Sequence, residues 1–274
     1  DLKSQGRLPK IAMFGGSVFL FPHPVKELAD FLKSHDMHIN YDAAHVAGLI
    51  AGGKFQDPLR EGTDTMTMST HKTLFGPQGG LVLGFERHSE PIKKAMFPGL
   101  TSSHHIHHMA AKAIAFAEAL EFGKDYAEQT INNAKALAVE LNNVGFKVLG
   151  EKSGYTQSHQ TVVNVLDYGD GGKIEADLEK ANIIVNRQLI PGDLKAKRHY
   201  MHPGGIRLGT SEITRLGMKE SEMKEIASMI KDVVIDKKDP GSITGKVAEF
   251  RKEFQKTQYC FDNKLGAYEY VKLR

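Results

Sequence analysis

The chain carries one cysteine, Cys260, in 274 residues. No internal disulfide can form, and a reducing, cytoplasmic setting is expected. There is no run of 18 apolar residues, so no membrane span is expected. Net charge is small: 36 basic against 33 acidic residues give +3, spread too evenly for a nucleic-acid footprint. The densest basic group, Lys195-Ala196-Lys197-Arg198-His199, reads as a solvated loop. No internal repeat or low-complexity stretch stands out. The cluster His104-His105-Ile106-His107-His108 puts His104, His107 and His108 on one face of an expected helix. It has no carboxylate partner, no His-Glu-x-x-His pattern and no cysteine, so no metal is expected. The opening segment Asp1–Arg7 lacks a signal-peptide core and an initiator Met, and reads as the middle of a protein.

What is present is ordinary globular composition, 41% hydrophobic and 25% charged, with length enough for one large domain or two smaller ones. Ile11–Phe14 is a short apolar strand ending in Gly15-Gly16, and Pro24–Lys33 is a helix with one apolar face. Met37–Tyr41 is a strand delivering Asp42, Thr63–Ser69 alternates and delivers His71 and Lys72, and Leu81–Gly84 is another short strand. Strands alternating with helices predict a mostly parallel sheet with ligands at the carboxyl ends. His104–Phe122 and Tyr126–Val144 are expected as two helices broken at Gly123. Beyond Gly145, short strands at 147–149, 161–165, 183–186 and 205–208 mix with helices near 219–234 and 243–256. This predicts a large α/β domain over residues 1–122 and a smaller α+β domain over 123–274, with the linking helix.

Two segments carry the chemistry: Tyr41-Asp42-Ala43-Ala44-His45-Val46-Ala47-Gly48 and Ser69-Thr70-His71-Lys72-Thr73-Leu74-Phe75-Gly76-Pro77-Gln78-Gly79-Gly80. An acidic residue closing one strand and a lysine just past another is the layout of a pyridoxal phosphate (PLP) enzyme. The lysine supplies an amine for a Schiff base, and burial can make such an amine nucleophilic. The carboxylate pairs with the protonated pyridine nitrogen and keeps the ring an electron sink.

These segments resemble serine hydroxymethyltransferase, within the aminotransferase-like (fold type I) class of PLP enzymes. Gly15-Gly16-Ser17, Phe97-Pro98-Gly99 and Gly205-Ile206-Arg207-Leu208-Gly209-Thr210 extend the likeness in order, over residues from about 8 to about 235. The resemblance implies a PLP-dependent enzyme interconverting serine and glycine, with a tetrahydropterin, either tetrahydrofolate or tetrahydromethanopterin, as one-carbon carrier. It also implies a homodimer. Alternatives are a threonine aldolase-like lyase of the same fold and a non-catalytic, PLP-free assembly subunit.

The resemblance also distributes roles. Alone, His45 reads as a helix-start histidine bonded to backbone; by resemblance, His45 and Ser17 hydrogen-bond the cofactor's phenolic oxygen. His71, otherwise a packed strand-end residue, is the histidine that influences reaction specificity, and Ser69 keeps a hydroxyl near the reacting amine. Arg207 could be only a strand-edge charge. An enzyme acting on amino acids, however, needs a planar fork for the α-carboxylate, and the family position agrees. Thr101-Ser102-Ser103 is expected as an N-cap cluster for the following helix. By resemblance, Ser102 and Ser103 replace glycines of a turn that reaches the partner subunit's cofactor phosphate. Gln78 stands where many relatives have arginine. Gln188 stands where relatives place a pterin-contacting asparagine, and is alternatively a surface residue touching nothing. The family's phosphate loop, ring-stacking residue and proton-transfer glutamate have no counterpart here, so a longer enzyme is expected.

Overall fold

The structure is a computed structural model that describes residues 2–262 and 266–267. It divides into two compact units, Asp1–Ala127 and Glu128–Arg274. In the first, β1 (Ile11–Gly15), α1 (Val25–Lys33), β2 (His38–Asp42), α2 (Ala47–Ala51), α3 (Pro58–Glu61), β3 (Thr65–His71), β4 (Phe75–Gly84) and α4 (Ser89–Lys94) follow in order. The strands form one sheet, β1-β2-β3-β4. The first two pairings are parallel, and the β3–β4 pairing is antiparallel. The mostly parallel sheet expected of the sequence is present.

Alternation along β2 explains its seat. Ile39 and Tyr41 are fully buried, while His38, Asn40 and Asp42 share the other face and are half-buried. Phe19, Val25, Leu49 and Met66 complete this core. Burying each such side chain contributes roughly 1.5–3 kcal/mol. The strand expected at Leu81–Gly84 is longer, because the antiparallel ladder runs back from Gly84 opposite Thr65 to Phe75 opposite His71.

One expectation fails at Gly123. A single helix, α5, runs unbroken over Ile106–Asn143 and passes through that glycine. A glycine in mid-helix costs about 1 kcal/mol relative to alanine. The close packing here rests on Gly52, just past α2, where a Cβ would lie 2.3 Å from the Gly123 carbonyl oxygen. At Gly123 itself a Cβ would meet nothing nearer than 3.8 Å, and the helix passes through it. The start of α5 also differs from expectation. Thr101–His105 precede the helix without regular structure, and Thr101 bonds back to the Met96 carbonyl. Thr101, Ser102 and Ser103 therefore lie ahead of the capping position.

The second unit follows α5 with β5 (Lys147–Val148), β6 (Gln160–Asn164), α6 (Gly171–Lys180), β7 (Asn186–Gln188), β8 (Gly205–Gly209), α7 (Ser211–Arg215), α8 (Met223–Val234) and α9 (Pro240–Arg251). Its sheet, β5-β6-β8-β7, is antiparallel throughout. The strand expected at 183–186 sits later, at β7, and the last helix starts earlier than residue 243, where Asp239 caps and Pro240 fills the first turn. Val163, Ile206, Leu178, Met223 and Ile230 make the core.

Candidate active site

The register of the parallel strands sets the site. Gly15, the last residue of β1, is opposite Asp42, the last of β2, and Asp42 is opposite Thr67. From Thr67, β3 continues to His71, so Lys72 stands just past its end. Ser17 follows β1 by two residues, in a bend. Ser17, Asp42, His45, Ser69, His71 and Lys72 thus belong to the carboxyl-end segments of three adjacent strands.

Short contacts hold these segments together. The Ala43 N–H donates to the Thr67 carbonyl at 2.7 Å, and the Ser69 hydroxyl to the Ala44 carbonyl at 3.1 Å. Thr73, buried, donates to the His45 carbonyl at 3.0 Å and accepts the Gly48 N–H at 3.0 Å. A Cβ on Gly48 would lie 2.1 Å from the Thr73 carbonyl oxygen, so only glycine allows this approach. Gly15 is similar: its φ is +96°, and a Cβ would meet the Asp42 carbonyl oxygen at 2.2 Å. The turn after β2 is fixed by Asp42 itself, whose Oδ1 accepts the Ala44 N–H at 3.0 Å.

A second network backs the first. His23 Nδ1 accepts the Gly15 N–H at 3.2 Å, which puts the ring proton on Nε2, and Phe19 stacks on the ring at 4.7 Å. Burial lowers the His23 pKa and keeps the ring neutral, as an acceptor must be. Gln56 bonds both the N–H and the carbonyl of His23 and accepts from the Tyr41 hydroxyl at 2.9 Å. Burial, then the charges of Glu61 and Asp42, push the Tyr41 phenol upward, so it stays protonated and donates. Sequence reasoning missed Thr73, His23 and Gln56; only Thr73, beside Lys72, carried a positional hint.

His71 and Lys72 are solvent-exposed, so the burial expected around Lys72 is not provided by these segments. Ser102 and Ser103 are exposed in the stretch before α5. In the cluster nearby, His105, His107 and His108 rings meet at 4.4–5.4 Å, whereas His104 lies outside the helix. The shared face expected of His104, His107 and His108 is not formed.

The second unit holds the other two expected residues. Arg207 lies in mid-strand on β8, opposite Val162 of β6 and Asn186 of β7, and its Nη2 donates to Asn186 Oδ1 at 3.0 Å. Burial lowers its pKa from the ordinary arginine value, far above neutrality. Gln188 is on the same sheet face by alternation, opposite Gly205, with its amide donating to the Leu189 carbonyl at 2.9 Å.

A mostly parallel sheet ending in a carboxylate and a lysine, followed by an α+β unit, is part of the aminotransferase-like PLP-enzyme fold. A crystal structure of L-threonine transaldolase from Pseudomonas fluorescens, in its internal aldimine state, superposes with a TM-score of 0.85 at 33% identity. That match covers 96% of this chain and 59% of the transaldolase chain. The model of the serine hydroxymethyltransferase family matches residues 2–230, and the chain belongs to that family. Among its relatives, serine hydroxymethyltransferase of Nitrosopumilus maritimus is 79% identical and that of Cenarchaeum symbiosum 74%, each over this whole chain and 62% of the relative. That of Pyrococcus furiosus is 55% identical over 93% of this chain and 60% of its own length. The chain spans about 60% of the length of the curated relatives it matches.

Proposed function

We propose that this chain is the greater part of a PLP-dependent serine hydroxymethyltransferase that interconverts serine and glycine, with a tetrahydropterin carrying the one-carbon unit. The observation that supports it most is the alignment of Asp42 and Lys72 at the carboxyl ends of neighbouring parallel strands, in a chain of this family. The donor set fits the cofactor. There is an amine at Lys72, a carboxylate at Asp42 held by the Ala44 amide, and an imidazole on His45, three residues after Asp42. Bound there, PLP would supply an electron sink for breaking a bond at the substrate's α-carbon.

The chain's own residues do the rest. Lys72 would hold the cofactor through its amine. Asp42 keeps a proton on the pyridine nitrogen. Ser17 and His45 bond the phenolic oxygen, and Ser69 places a hydroxyl by the lysine. His71 takes part in choosing the reaction. Arg207 would grip the substrate carboxylate with a planar fork and so orient the substrate. Ser102 and Ser103 serve the cofactor phosphate of a partner subunit in a homodimer. Gln188 contacts the pterin, whether tetrahydrofolate or tetrahydromethanopterin. The setting is cytoplasmic, supported by the single cysteine, and the role is glycine formation in one-carbon metabolism. No described helix is long and apolar enough to cross a membrane.

The likeness to L-threonine transaldolase favours a second reading, a lyase acting on β-hydroxy amino acids without a pterin. The full chain with PLP and glycine, observed spectroscopically with and without added pterins, separates the two. Serine cleavage that strictly needs the pterin supports the transferase; cleavage indifferent to it supports the lyase.

A further inference from the structure

The bulged first half of β4, where Phe75 pairs with His71 and Gly80 with Ser69, is pressed against α5, and the contacts are specific. Gly76 and Gly79 give the helix room. A Cβ on Gly76 would lie 3.2 Å from the Ala115 Cβ and 2.9 Å from the Thr70 carbonyl oxygen. A Cβ on Gly79, whose φ is +155°, would lie 2.5 Å from the Lys112 ammonium and 3.3 Å from the Thr70 hydroxyl. Lys112 and Ala115 are three residues apart and share a helix face, so one face of α5 covers this stretch at two points. The Lys112 ammonium fills the space a side chain at 79 would take, and donates to the Gly80 carbonyl at 3.5 Å.

On its other side the same stretch holds His71. The Gly79 N–H donates to His71 Nδ1 at 3.4 Å. A nitrogen that accepts carries no proton, so of the two tautomers this bond selects the one with the proton on Nε2. The Thr70 hydroxyl ties the stretch to β3 by donating to the Pro77 carbonyl at 2.7 Å. The path from Lys112 to the residue beside Lys72 is therefore two contacts long: ammonium to Gly80 carbonyl, and Gly79 amide to His71 ring. Gln78, exposed within the same bulged stretch of β4, brings no charge to it. The cation beside this stretch comes from the helix.

We propose that Lys112 is a positioning residue. By pinning the Gly79–Gly80 backbone it holds the His71 ring in one tautomer and one orientation next to Lys72. This rests on the reading that Lys72 and His71 belong to the active site, and it deepens that reading by assigning a residue outside both motifs. The ammonium touches backbone and not substrate, so its loss is expected to lower kcat more than it changes KM.

The test uses the full chain with ¹⁵N-labelled histidine. In the unsubstituted protein, without cofactor or substrate, the His71 ring is expected to show a bare Nδ1 and a protonated Nε2. Lys112→Met, of similar length and no charge, is expected to show averaged tautomers at His71. Its kcat should fall by about tenfold, the scale of a modestly misplaced catalytic group, with an unchanged melting temperature. Lys112→Arg, which keeps a cationic donor, is expected to restore both the ring signature and turnover. Should Lys112→Met fail to fold, Lys112→Leu, which also has no donor, gives the same readout. A His71 ring that keeps its unsubstituted signature in Lys112→Met or Lys112→Leu overturns the proposal, as does failure of Lys112→Arg to restore it. Because the ring is read without cofactor, this result is independent of whether Lys72 proves to be the cofactor lysine.

Discussion

In the first sheet Asp42 and Lys72 stand at or beyond the last ladder positions of β2 and β3, whereas in the second Arg207 sits in mid-strand between β6 and β7. The physical reason is the type of sheet. Strands of a parallel sheet are covered on their faces, so a charged group finds room at their ends. Side chains of an antiparallel strand alternate between faces, and β8 uses that: Ile206 and Leu208 enter the core while Arg207 takes the opposite, half-buried face. The two placements are held differently. Positions at the strand ends depend on backbone fit at Gly15, Gly48 and Thr73. The position on the face depends on side-chain bonds such as the one Arg207 donates to Asn186 Oδ1. Substitutions that respect the backbone should therefore remove chemistry at either place, and substitutions that disturb the backbone should harm the first place more.

The largest effect is expected at Lys72. Lys72→Ala removes the amine and leaves the β3 end intact, so multiple turnover should be lost while the melting temperature holds. Borohydride should trap no cofactor on the protein, as read by peptide mass spectrometry. An adduct mapping to another lysine would break the assignment and, with it, the strand-end half of the comparison.

Arg207→Ala comes next. Serine and glycine affinity should fall by on the order of 2–5 kcal/mol, the cost of losing one bidentate charged contact and leaving the carboxylate without its partner. PLP should stay bound, since Asp42 and Lys72 are untouched. Calorimetric titration with glycine checks both points, and unchanged affinity would sink the idea. Arg207→Lys should recover only part of the loss, because an ammonium cannot offer the planar fork.

Much of this arrangement could be read from the residues, and the failures share a cause. The alternation of Thr65-Met66-Thr67-Met68 and the apolar run Ile11–Phe14 gave strands ending where the chemistry begins, because local pattern decides which residues share a face. What local pattern cannot hold is a contact with a distant element. Gly123 reads as a helix stop, yet its partner is Gly52, some seventy residues earlier. Gly48 lies in the Asp42 motif, yet what requires a glycine there is the Thr73 carbonyl, twenty-five residues on. The Thr101-Ser102-Ser103 cluster matches cap chemistry, but the helix starts beyond it. His23 and Gln56, which brace the β1 end, sit in stretches with no motif at all.

Thr73→Val tests the backbone side of the comparison. It removes a buried hydroxyl that both donates and accepts, leaving the Gly48 amide and the His45 carbonyl without that partner. A stability loss of roughly 1–3 kcal/mol is expected, read by denaturant titration. Thr73→Ser should keep most of it. A Thr73→Val protein as stable as the parent would show that packing alone holds the strand ends.

The opposite end of the first sheet gives a smaller, pH-dependent effect. Burial works to raise the Asp64 pKa, but it is outweighed by the Ile39 amide, the Arg87 guanidinium at 2.6 Å and the nearby His38. The net effect holds this carboxyl below its ordinary value. A carboxyl depressed by folding contributes stability that is full above the unfolded value of about 4 and is lost as pH falls through the folded value. Asp64→Asn should lower stability at neutral pH and flatten its decline below about pH 4, in urea titrations across that range. An unaltered acid limb would mean that Asp64 does not couple to folding.

The smallest effect is expected at Gln188, where the face of the second sheet would meet the pterin. Its amide already donates to the Leu189 carbonyl at 2.9 Å, so it enters any ligand contact with one of its two N–H groups engaged and its carbonyl oxygen able to accept. Asparagine offers the same groups from a side chain one methylene shorter. Gln188→Asn should therefore leave serine binding and PLP retention alone and change only the ratio of rates with tetrahydrofolate and tetrahydromethanopterin, toward tetrahydrofolate. A displaced hydrogen bond to an uncharged partner contributes about 0.5–1.5 kcal/mol, so a shift of a few-fold to about tenfold is the scale to look for. The comparison of the sheets predicts the control: Gln188→Asn should not alter the borohydride-trapped yield at Lys72. A ratio that does not move would make Gln188 a bystander and leave Arg207 as the residue through which that face of the second sheet acts.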